Sequence, residues 1–208
     1  MAREKLYRSN AEKQAAYRAR QQWKGGGVVR WLEDLIAAGA RFGTILADPP
    51  WAYRNRGTKG AATDHYHTMS LDALKAMPVA QLAARDCHLH VWATAPLLPE
   101  ALTLVEAWGF TYTSKLVWDK EAMGTGNYWR LQTEDLLLGV RGHATHFRRR
   151  DLRNVVRVRR GSHSCKPDLI LHMVEQASPG PYLELFGRRP TPGWTVFGDQ
   201  VEHGLFES

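Results

Sequence analysis

The chain has 208 residues, of which 44% are hydrophobic, and its formal net charge is +7. No apolar run reaches the roughly 18 residues of a membrane-spanning helix, and no apolar stretch follows the first residues, so we expect neither a membrane span nor a secretory signal. Two cysteines are too few for a disulfide framework, which indicates reduced thiols and a cytoplasmic location.

Positive charge is concentrated in two segments. Residues 1–24 hold seven Lys or Arg against two Glu, and residues 148–160 hold seven Arg against one Asp. Basic runs are often only solvated faces. Two of them in a short chain nevertheless favour a polyanionic partner such as nucleic acid.

The first basic segment is predicted to form a helical arm. Ser9 and Glu12 make a capping box, which favours a helix that continues to about Trp23. Gly25–Gly27 then ends the helix and forms a flexible joint. We therefore expect an arm and linker over residues 1–27 and one domain over residues 28–208. The arm either contacts phosphates or packs as a surface helix.

Helices and strands alternate along the rest of the chain. The patterns predict helices over residues 29–38, 71–84 with an interruption at Pro78, 99–108 and 167–177. They predict strands over residues 44–47, 87–94, 114–118, 135–140, 155–159, 182–186 and 194–197. This alternation predicts a parallel or mixed sheet with helices on both faces. The long polar loops 52–70 and 120–133 are candidates for functional segments.

The segment Asp48-Pro49-Pro50-Trp51 directly follows a buried strand. Neither proline can donate to a β-ladder or continue a helix, so the strand ends there. A carboxylate and prolyl carbonyls are then left at the carboxyl end of a strand, where open α/β sheets bind ligands. An acceptor cluster beside an indole suits a flat base with an amino group. The alternatives are an ordinary strand end with a proline turn, and a Trp51 that is simply part of the core.

Polar residues also follow the later predicted elements. Lys166 precedes the last helix, and two strands end at Phe186-Gly187-Arg188 and at Gly198-Asp199-Gln200. Such strand ends are suited to a nucleoside cofactor. The alternatives are a surface position for Lys166 and a packing role for Phe186.

Two His-x-His pairs occur, at His65/His67 and at His88/His90. A metal site usually needs a third or fourth ligand. No metal site is therefore predicted.

Several motifs occur in a fixed order, which begins at Asp48–Trp51 and continues with Tyr66–Ser70, His163–Asp168, Ser178–Gly180 and Leu183–Arg188. Together they resemble the adenine N6-methyltransferase family that includes the catalytic subunit of the messenger-RNA adenosine methyltransferase. The resemblance covers about residues 41–201. It implies a single-domain α/β, Rossmann-like fold that depends on S-adenosylmethionine. It also implies the permuted (beta-class) motif order, in which the catalytic strand precedes the cofactor strand.

The resemblance also implies S-adenosylmethionine as methyl donor and the exocyclic N6 amino group of adenine as acceptor. We expect DNA as the substrate, with a low or short sequence preference, and a homodimer is one compatible oligomeric state. The same chemistry on RNA is the nearest alternative. A catalytically silent nucleic-acid-binding or partner module is an alternative of another class.

Site residues follow from the same resemblance. Asp48 and Pro49 would accept hydrogen bonds from the adenine amino group, with Pro50 completing the motif and Trp51 or Tyr53 stacking on the base. Cofactor contacts would come from Asp48, Lys166, Phe186, Gly187, Arg188, Asp199 and Gln200, although Asp199 stands where the family often has asparagine. Substrate contacts would come from Tyr53, Arg54, Arg56, Lys59, Tyr66, Tyr128, Trp129 and Arg130.

Overall fold

The computed structural model describes residues 26–52, 68–124, 128–143, 147–161 and 166–198. Its strands are β1 Gly27–Val29, β2 Phe42–Ala47, β3 Ala83–Ala93, β4 Thr111–Asp119, β5 Thr133–Arg141, β6 Val155–Arg157, β7 Tyr182–Leu185 and β8 Trp194–Phe197. Its α-helices are α1 Leu32–Ala37, α2 Leu71–Ala76, α3 Val79–Leu82, α4 Leu98–Ala107 and α5 Asp168–Ala177, and a 3₁₀ turn spans Ala95–Leu97.

The described strands form one mixed sheet of eight strands in the order β1-β8-β7-β2-β3-β5-β4-β6. Strand β5 is antiparallel to both of its neighbours, β3 and β4. The other neighbouring pairs are parallel. The carboxyl ends of the parallel strands and the amino end of β5 therefore meet at one edge of the sheet, the carboxyl edge.

The core lies on both faces of the sheet, as the alternation of elements predicts. Side chains of β2 alternate between the faces, because Ile45 and Ala47 pack with α1 to α4 whereas Leu46 packs with α5. In α5, Ile170 and Val174 are buried at helical spacing. None of the helices within the described ranges is long and apolar enough to cross a membrane.

Element ends follow local sequence signals. Gly39 and Gly109 follow α1 and α4 with φ of +70° and +83°, the left-handed conformation that ends many helices. Ser70 caps α2, since its side chain accepts a hydrogen bond from the Ala73 amide. Pro78 separates α2 from α3, as predicted.

The prediction of a helix over residues 29–38 is wrong at its start. Gly27–Val29 form the short edge strand β1, which pairs with β8, and the helix begins at Leu32. Two consecutive β-branched valines favour a strand, but three residues carry little periodic signal and the partner strand β8 lies far along the chain. Strand β1 thus begins at Gly27, a residue that the prediction assigned to the linker. The predicted arm helix over residues 9–23 lies outside the described residues.

Candidate active site

Asp48 follows β2 at the carboxyl edge. Strand β2 is buried along its whole length and lies between β7 and β3. The Asp48 amide donates to the Leu185 carbonyl at 3.4 Å, and the pairing stops there because the prolines that follow lack an N–H. The Pro49 carbonyl accepts a hydrogen bond from the Trp51 amide at 2.8 Å. This tight turn fixes the backbone that carries the half-buried Asp48 carboxylate.

The Trp51 side chain is buried in the core. Its exposed fraction is 8%, and its indole N–H donates to the Trp92 carbonyl at 3.2 Å. The neighbouring Pro50 carbonyl accepts from the Met69 amide at 2.8 Å. Trp51 thus anchors the turn on β3, and the stacking role on a base stays a prediction.

Lys166 binds Asp48 directly. Its Nζ lies 3.0 Å from Asp48 Oδ1, 2.8 Å from Oδ2 and 3.4 Å from Glu134 Oε2. It also lies 5.2 Å from the centre of the Trp92 ring, within range of a cation–π interaction. Burial disfavours the charged ammonium, but the charges of Asp48 and Glu134 outweigh burial and raise the pKa of Lys166 above its ordinary value.

Glu134 is a residue of this cluster that the sequence reasoning missed. Its Oε1 accepts a hydrogen bond from Lys120 Nζ at 3.2 Å, so two lysines and two carboxylates alternate in direct contact. Glu134 reaches the carboxyl edge because β5 is antiparallel and begins there. The available signal was an acidic residue at the start of a predicted strand, but hydrophobic periodicity does not reveal strand direction.

A cavity of about 300 Å³ opens beside Asp48 and Lys166. This volume lies at the lower end of the range of small-molecule sites. Apolar walls come from β2, β3 and α5, including Leu46, Trp92 and Ile170. The polar and charged lining residues are Asp48, Lys166, Asp168, Glu184, Arg188, Arg189 and Thr191. An apolar body flanked by both signs of charge suits a zwitterionic nucleoside.

The turn after β7 forms another wall of the cavity. Phe186, which lines the cavity, has φ +64°, an uncommon conformation for a residue with a Cβ. The Gly187 amide donates to the Phe197 carbonyl at 3.1 Å. A Cβ at Gly187 would overlap the Val196 side chain, and one at Gly198 would overlap the Gly187 carbonyl. Both glycines are therefore required by the close approach of the chain after β7 and β8.

Glu184, a residue without a predicted role, also lines the cavity. Its carboxylate accepts a hydrogen bond from the Thr191 hydroxyl at 2.8 Å. Burial raises the pKa of Glu184, and the negative charge of Asp48 raises it further. The hydrogen bond from Thr191 lowers this pKa but does not cancel the increase. A partly buried carboxyl group that lines the cavity suits hydrogen bonding to the hydroxyl groups of a ligand.

The remaining predicted site residues fall into two groups. Tyr128 and Trp129 are 94% and 89% exposed in the loop between β4 and β5, and Arg130 is exposed in the same loop. The second group lies outside the described residues and comprises Tyr53, Arg54, Arg56, Lys59, Tyr66, Asp199 and Gln200.

His88 and His90 share one partner. His88 Nδ1 lies 2.9 Å and His90 Nε2 lies 3.0 Å from the Ser178 hydroxyl oxygen. Both rings are buried, and Ser178 lies just after α5. Within the ranges that the structure covers, no group of three or more His, Cys, Asp or Glu residues is arranged to hold a metal ion.

Known proteins match most of the chain. The MT-A70 family matches residues 42–200. The Type II methyltransferase M.MunI from Mycoplasma sp is 31% identical over 188 residues, which cover 80% of this chain and 81% of M.MunI. The human N(6)-adenosine-methyltransferase catalytic subunit METTL3 is 28% identical over 185 residues, 84% of this chain but 30% of METTL3. The mouse N(6)-adenine-specific methyltransferase METTL4 is 28% identical over 190 residues, 82% of this chain and 40% of METTL4.

The family match contains the residues that form the site. It begins at the first residue of β2 and includes the Asp48 turn, Glu134, Lys166 and the turn after β7. The resemblance seen in the ordered motifs is thereby confirmed. The chain belongs to the MT-A70 family of adenine N6-methyltransferases.

Proposed function

We propose that the protein transfers a methyl group from S-adenosylmethionine to the N6 nitrogen of adenine in DNA, with a short sequence preference. The observation that carries the proposal is the direct contact between Asp48 and Lys166 at the cavity. Through this contact the turn at residues 48–51, named the acceptor turn, adjoins the cavity. The turn suits an amino-bearing base, and the cavity suits a charged nucleoside. The match with a Type II methyltransferase over four fifths of both chains supports DNA as the substrate.

The proposed fold is a Rossmann-like, S-adenosylmethionine-dependent methyltransferase fold with permuted order. Strand β2, which carries Asp48, comes before β7 in the chain, yet the two strands are parallel neighbours. After β2 the next strand in the chain, β3, is added on one side of this pair, and after β7 the next strand, β8, is added on the other side. Ligands bind at such a reversal of strand order in open α/β sheets. The cavity at this position supports the proposal.

The cavity residues fit the proposed cofactor. Bound S-adenosylmethionine supplies an electrophilic methyl group on a sulfonium centre. Lys166 would hold its carboxylate, and Phe186 and Arg188 its adenosine, with Gly187, Asp199 and Gln200 completing the site. The Lys166 ammonium has three donors, and Asp48 and Glu134 already accept from it, so a cofactor carboxylate would share or replace one of these bonds.

The acceptor turn would orient the adenine. The Asp48 carboxylate and the Pro49 carbonyl would accept the two amino hydrogens, which turns the N6 lone pair out of conjugation with the ring. The Pro49 carbonyl already accepts the Trp51 amide, but a carbonyl oxygen has two lone pairs. The methylated nitrogen would then lose a proton to Asp48. Catalysis thus rests on positioning and electrostatics, without a covalent enzyme intermediate.

The polar loops would contact nucleotides around the target. Tyr128, Trp129 and Arg130 project from the loop between β4 and β5. The residues of the other predicted loop would act in the same way, namely Tyr53, Arg54, Arg56, Lys59 and Tyr66. An adenine in a duplex would have to be flipped out of the stack, which costs a few kcal/mol.

RNA is the second candidate substrate. The observation that favours it is the match with METTL3, an N(6)-adenosine-methyltransferase catalytic subunit, although the chain covers 30% of that protein. Net charge does not separate the two polymers, because both are polyanions.

The test is methyl transfer by the purified chain. DNA and RNA oligonucleotides of matched sequence compete for methyl label from S-adenosylmethionine. We expect label in DNA, recovered as N6-methyladenine. Label recovered in RNA alone would assign the enzyme to RNA, and an absence of label in both polymers at every salt concentration would contradict the enzymatic function.

A further inference from the structure

The fold divides the second basic segment into two parts. The Arg148 amide donates to the carbonyl of Ala177, the last residue of α5, at 2.8 Å. Helix α5 starts beside the cavity at Asp168 and ends just before β7 begins, so Ala177 lies at the edge opposite Asp48. The exposed Arg148, Arg149 and Arg150 therefore lie near the edge of the sheet opposite the candidate site.

The later arginines lie at the carboxyl edge. Strand β6 runs parallel to β4 and ends at Arg157, which pairs in register with Asp119. The chain continues along the end of β4, since the Val158 amide donates to the Asp119 carbonyl at 3.1 Å and the Arg160 amide to the Lys120 carbonyl at 3.2 Å. Arg157, Arg159 and Arg160 are exposed there. Asp119 lies 3.4 Å from the Arg157 guanidinium.

Direct contacts connect this basic segment with Asp48. The backbone of Arg160 is bonded to Lys120, whose ammonium lies 3.2 Å from Glu134. Glu134 lies 3.4 Å from Lys166, and Lys166 lies 2.8 Å from Asp48. A continuous series of contacts thus links the backbone of Arg160 to Asp48.

Two exposed aromatic side chains project from the same edge. Tyr128 and Trp129 are 94% and 89% exposed, and the Gly124 amide holds the base of their loop through the Leu131 carbonyl at 2.9 Å. Proteins bind unpaired nucleic acid with a basic track beside aromatic side chains on which bases stack. The other half of the edge, at β7, is occupied by the cavity.

We propose that an unpaired strand flanking the target adenine crosses the carboxyl edge over β4 and β6. Its phosphates contact Arg157, Arg159 and Arg160, and its bases stack on Trp129 and Tyr128. This flanking-strand surface rests on the proposed function, which it deepens. It excludes Arg148, Arg149 and Arg150 from substrate binding, although the sequence places both groups of three within one segment of seven arginines.

The test compares two triple variants of equal charge. R157A/R159A/R160A and R148A/R149A/R150A each remove three arginines and one surface ion pair, to Asp119 or to Asp151. Fluorescence anisotropy with labelled single-stranded DNA and RNA 12-mers measures Kd at several salt concentrations. The first variant should raise Kd roughly tenfold or more, and its salt slope should fall by about 2, since each phosphate contact contributes about 0.7 on a single strand. The second should change Kd less than about twofold. Equal effects of the two variants would overturn the proposal.

Trp129 tests the stacking part. Trp129→Ala should raise Kd for the single strands and leave the salt slope unchanged, and Trp129→Phe should restore part of the affinity. Unchanged affinity in Trp129→Ala, or tighter binding of a blunt duplex that does not depend on Trp129, would exclude stacking of unpaired bases.

The binding assay contains no cofactor, so it separates this surface from the enzymatic proposal. A Kd that depends on Arg157, Arg159 and Arg160, without methyl transfer, would support the flanking-strand surface and contradict the enzymatic function. Methyl transfer with a Kd that responds equally to both triple variants would support the enzymatic function and contradict the flanking-strand surface.

Discussion

Asp48 would take part in both halves of the proposed site. Each of its carboxylate oxygens accepts a hydrogen bond from Lys166, and the adenine amino group would approach the same oxygens. Glu134 binds the same lysine from β5. Lys166 therefore couples the acceptor turn to the cavity, and its removal would leave two carboxylates without their common counter-ion.

Replacing Lys166 with glutamine should weaken S-adenosylmethionine binding about 10- to 100-fold, because a hydrogen bond to a charged group is worth about 1.5–3 kcal/mol. Isothermal titration calorimetry measures the affinity. Lys120→Gln is the matched control, since Lys120 contacts Glu134 but does not line the cavity. Equal affinities for Lys166→Gln and the unaltered protein would show that this lysine does not hold the cofactor.

His90 should make stability sensitive to acid. Burial, together with the charge of His88, lowers the pKa of His90 to about 3, whereas an unfolded histidine titrates near 6.5. Below pH 6.5 His90 binds a proton in the unfolded chain but stays neutral in the folded protein. The free energy of unfolding therefore decreases as the pH falls from about 6.5 to 3.

The expected decline attributable to His90 approaches about 1.4 kcal/mol per pH unit well below pH 6.5. His90→Gln should remove it, so its unfolding free energy should fall less between pH 7.5 and 5.0. Urea titrations at both pH values measure the difference. An identical decline in the two proteins would show that His90 does not titrate in this way.

Among single residues, the sequence predicted the position of Asp48 better than its surroundings. A strand that meets two prolines must end, so the carboxylate at its carboxyl end followed from local chemistry. The contact with Lys166 joins residues 118 positions apart and was not predicted, because the ordered family motifs implied only that both residues belong to one site. Glu134 escaped notice because its place depends on the direction of β5.

At the scale of elements, long patterned segments were predictable and short edge elements were not. The predicted strands at residues 44–47 and 194–197 and the helix at residues 167–177 match β2, β8 and α5 closely. Strand β1 was missed because three residues carry little periodic signal and its partner, β8, is far along the chain. Strand β6 forms the sheet edge, in agreement with its alternating Val and Arg residues.

The close approach of the chain segments after β7 and β8 leaves no space for a side chain at Gly198. A Cβ there would overlap the Gly187 carbonyl, which is backbone and cannot move aside easily. Gly198→Ala should therefore lower the unfolding free energy by about 1–3 kcal/mol. Gly161→Ala is the control, because a Cβ at Gly161 meets open space, and its effect should stay within about 0.5 kcal/mol. Equal urea midpoints for the two variants would contradict the close approach.

At the scale of the whole molecule, the alternation of helices and strands predicted a sheet covered on both faces. Its two core clusters, one around α1 to α4 and one around α5, confirm this. The antiparallel insertion of β5 and the division of the basic segment by β6 were beyond the sequence patterns, because both depend on which strands pair. These two features place Glu134 and the later arginines around the candidate site.

The most direct test of the central claim is the identity of the methylated base. DNA is incubated with S-adenosylmethionine and the protein, digested to nucleosides and analysed by mass spectrometry. The unaltered protein should produce N6-methyladenine, and Asp48→Asn should lower the rate at least about 100-fold, as expected for loss of a charge-positioning group, with an unchanged circular dichroism spectrum. A methyl group on another base atom, or an Asp48→Asn variant as active as the unaltered protein, would contradict the account.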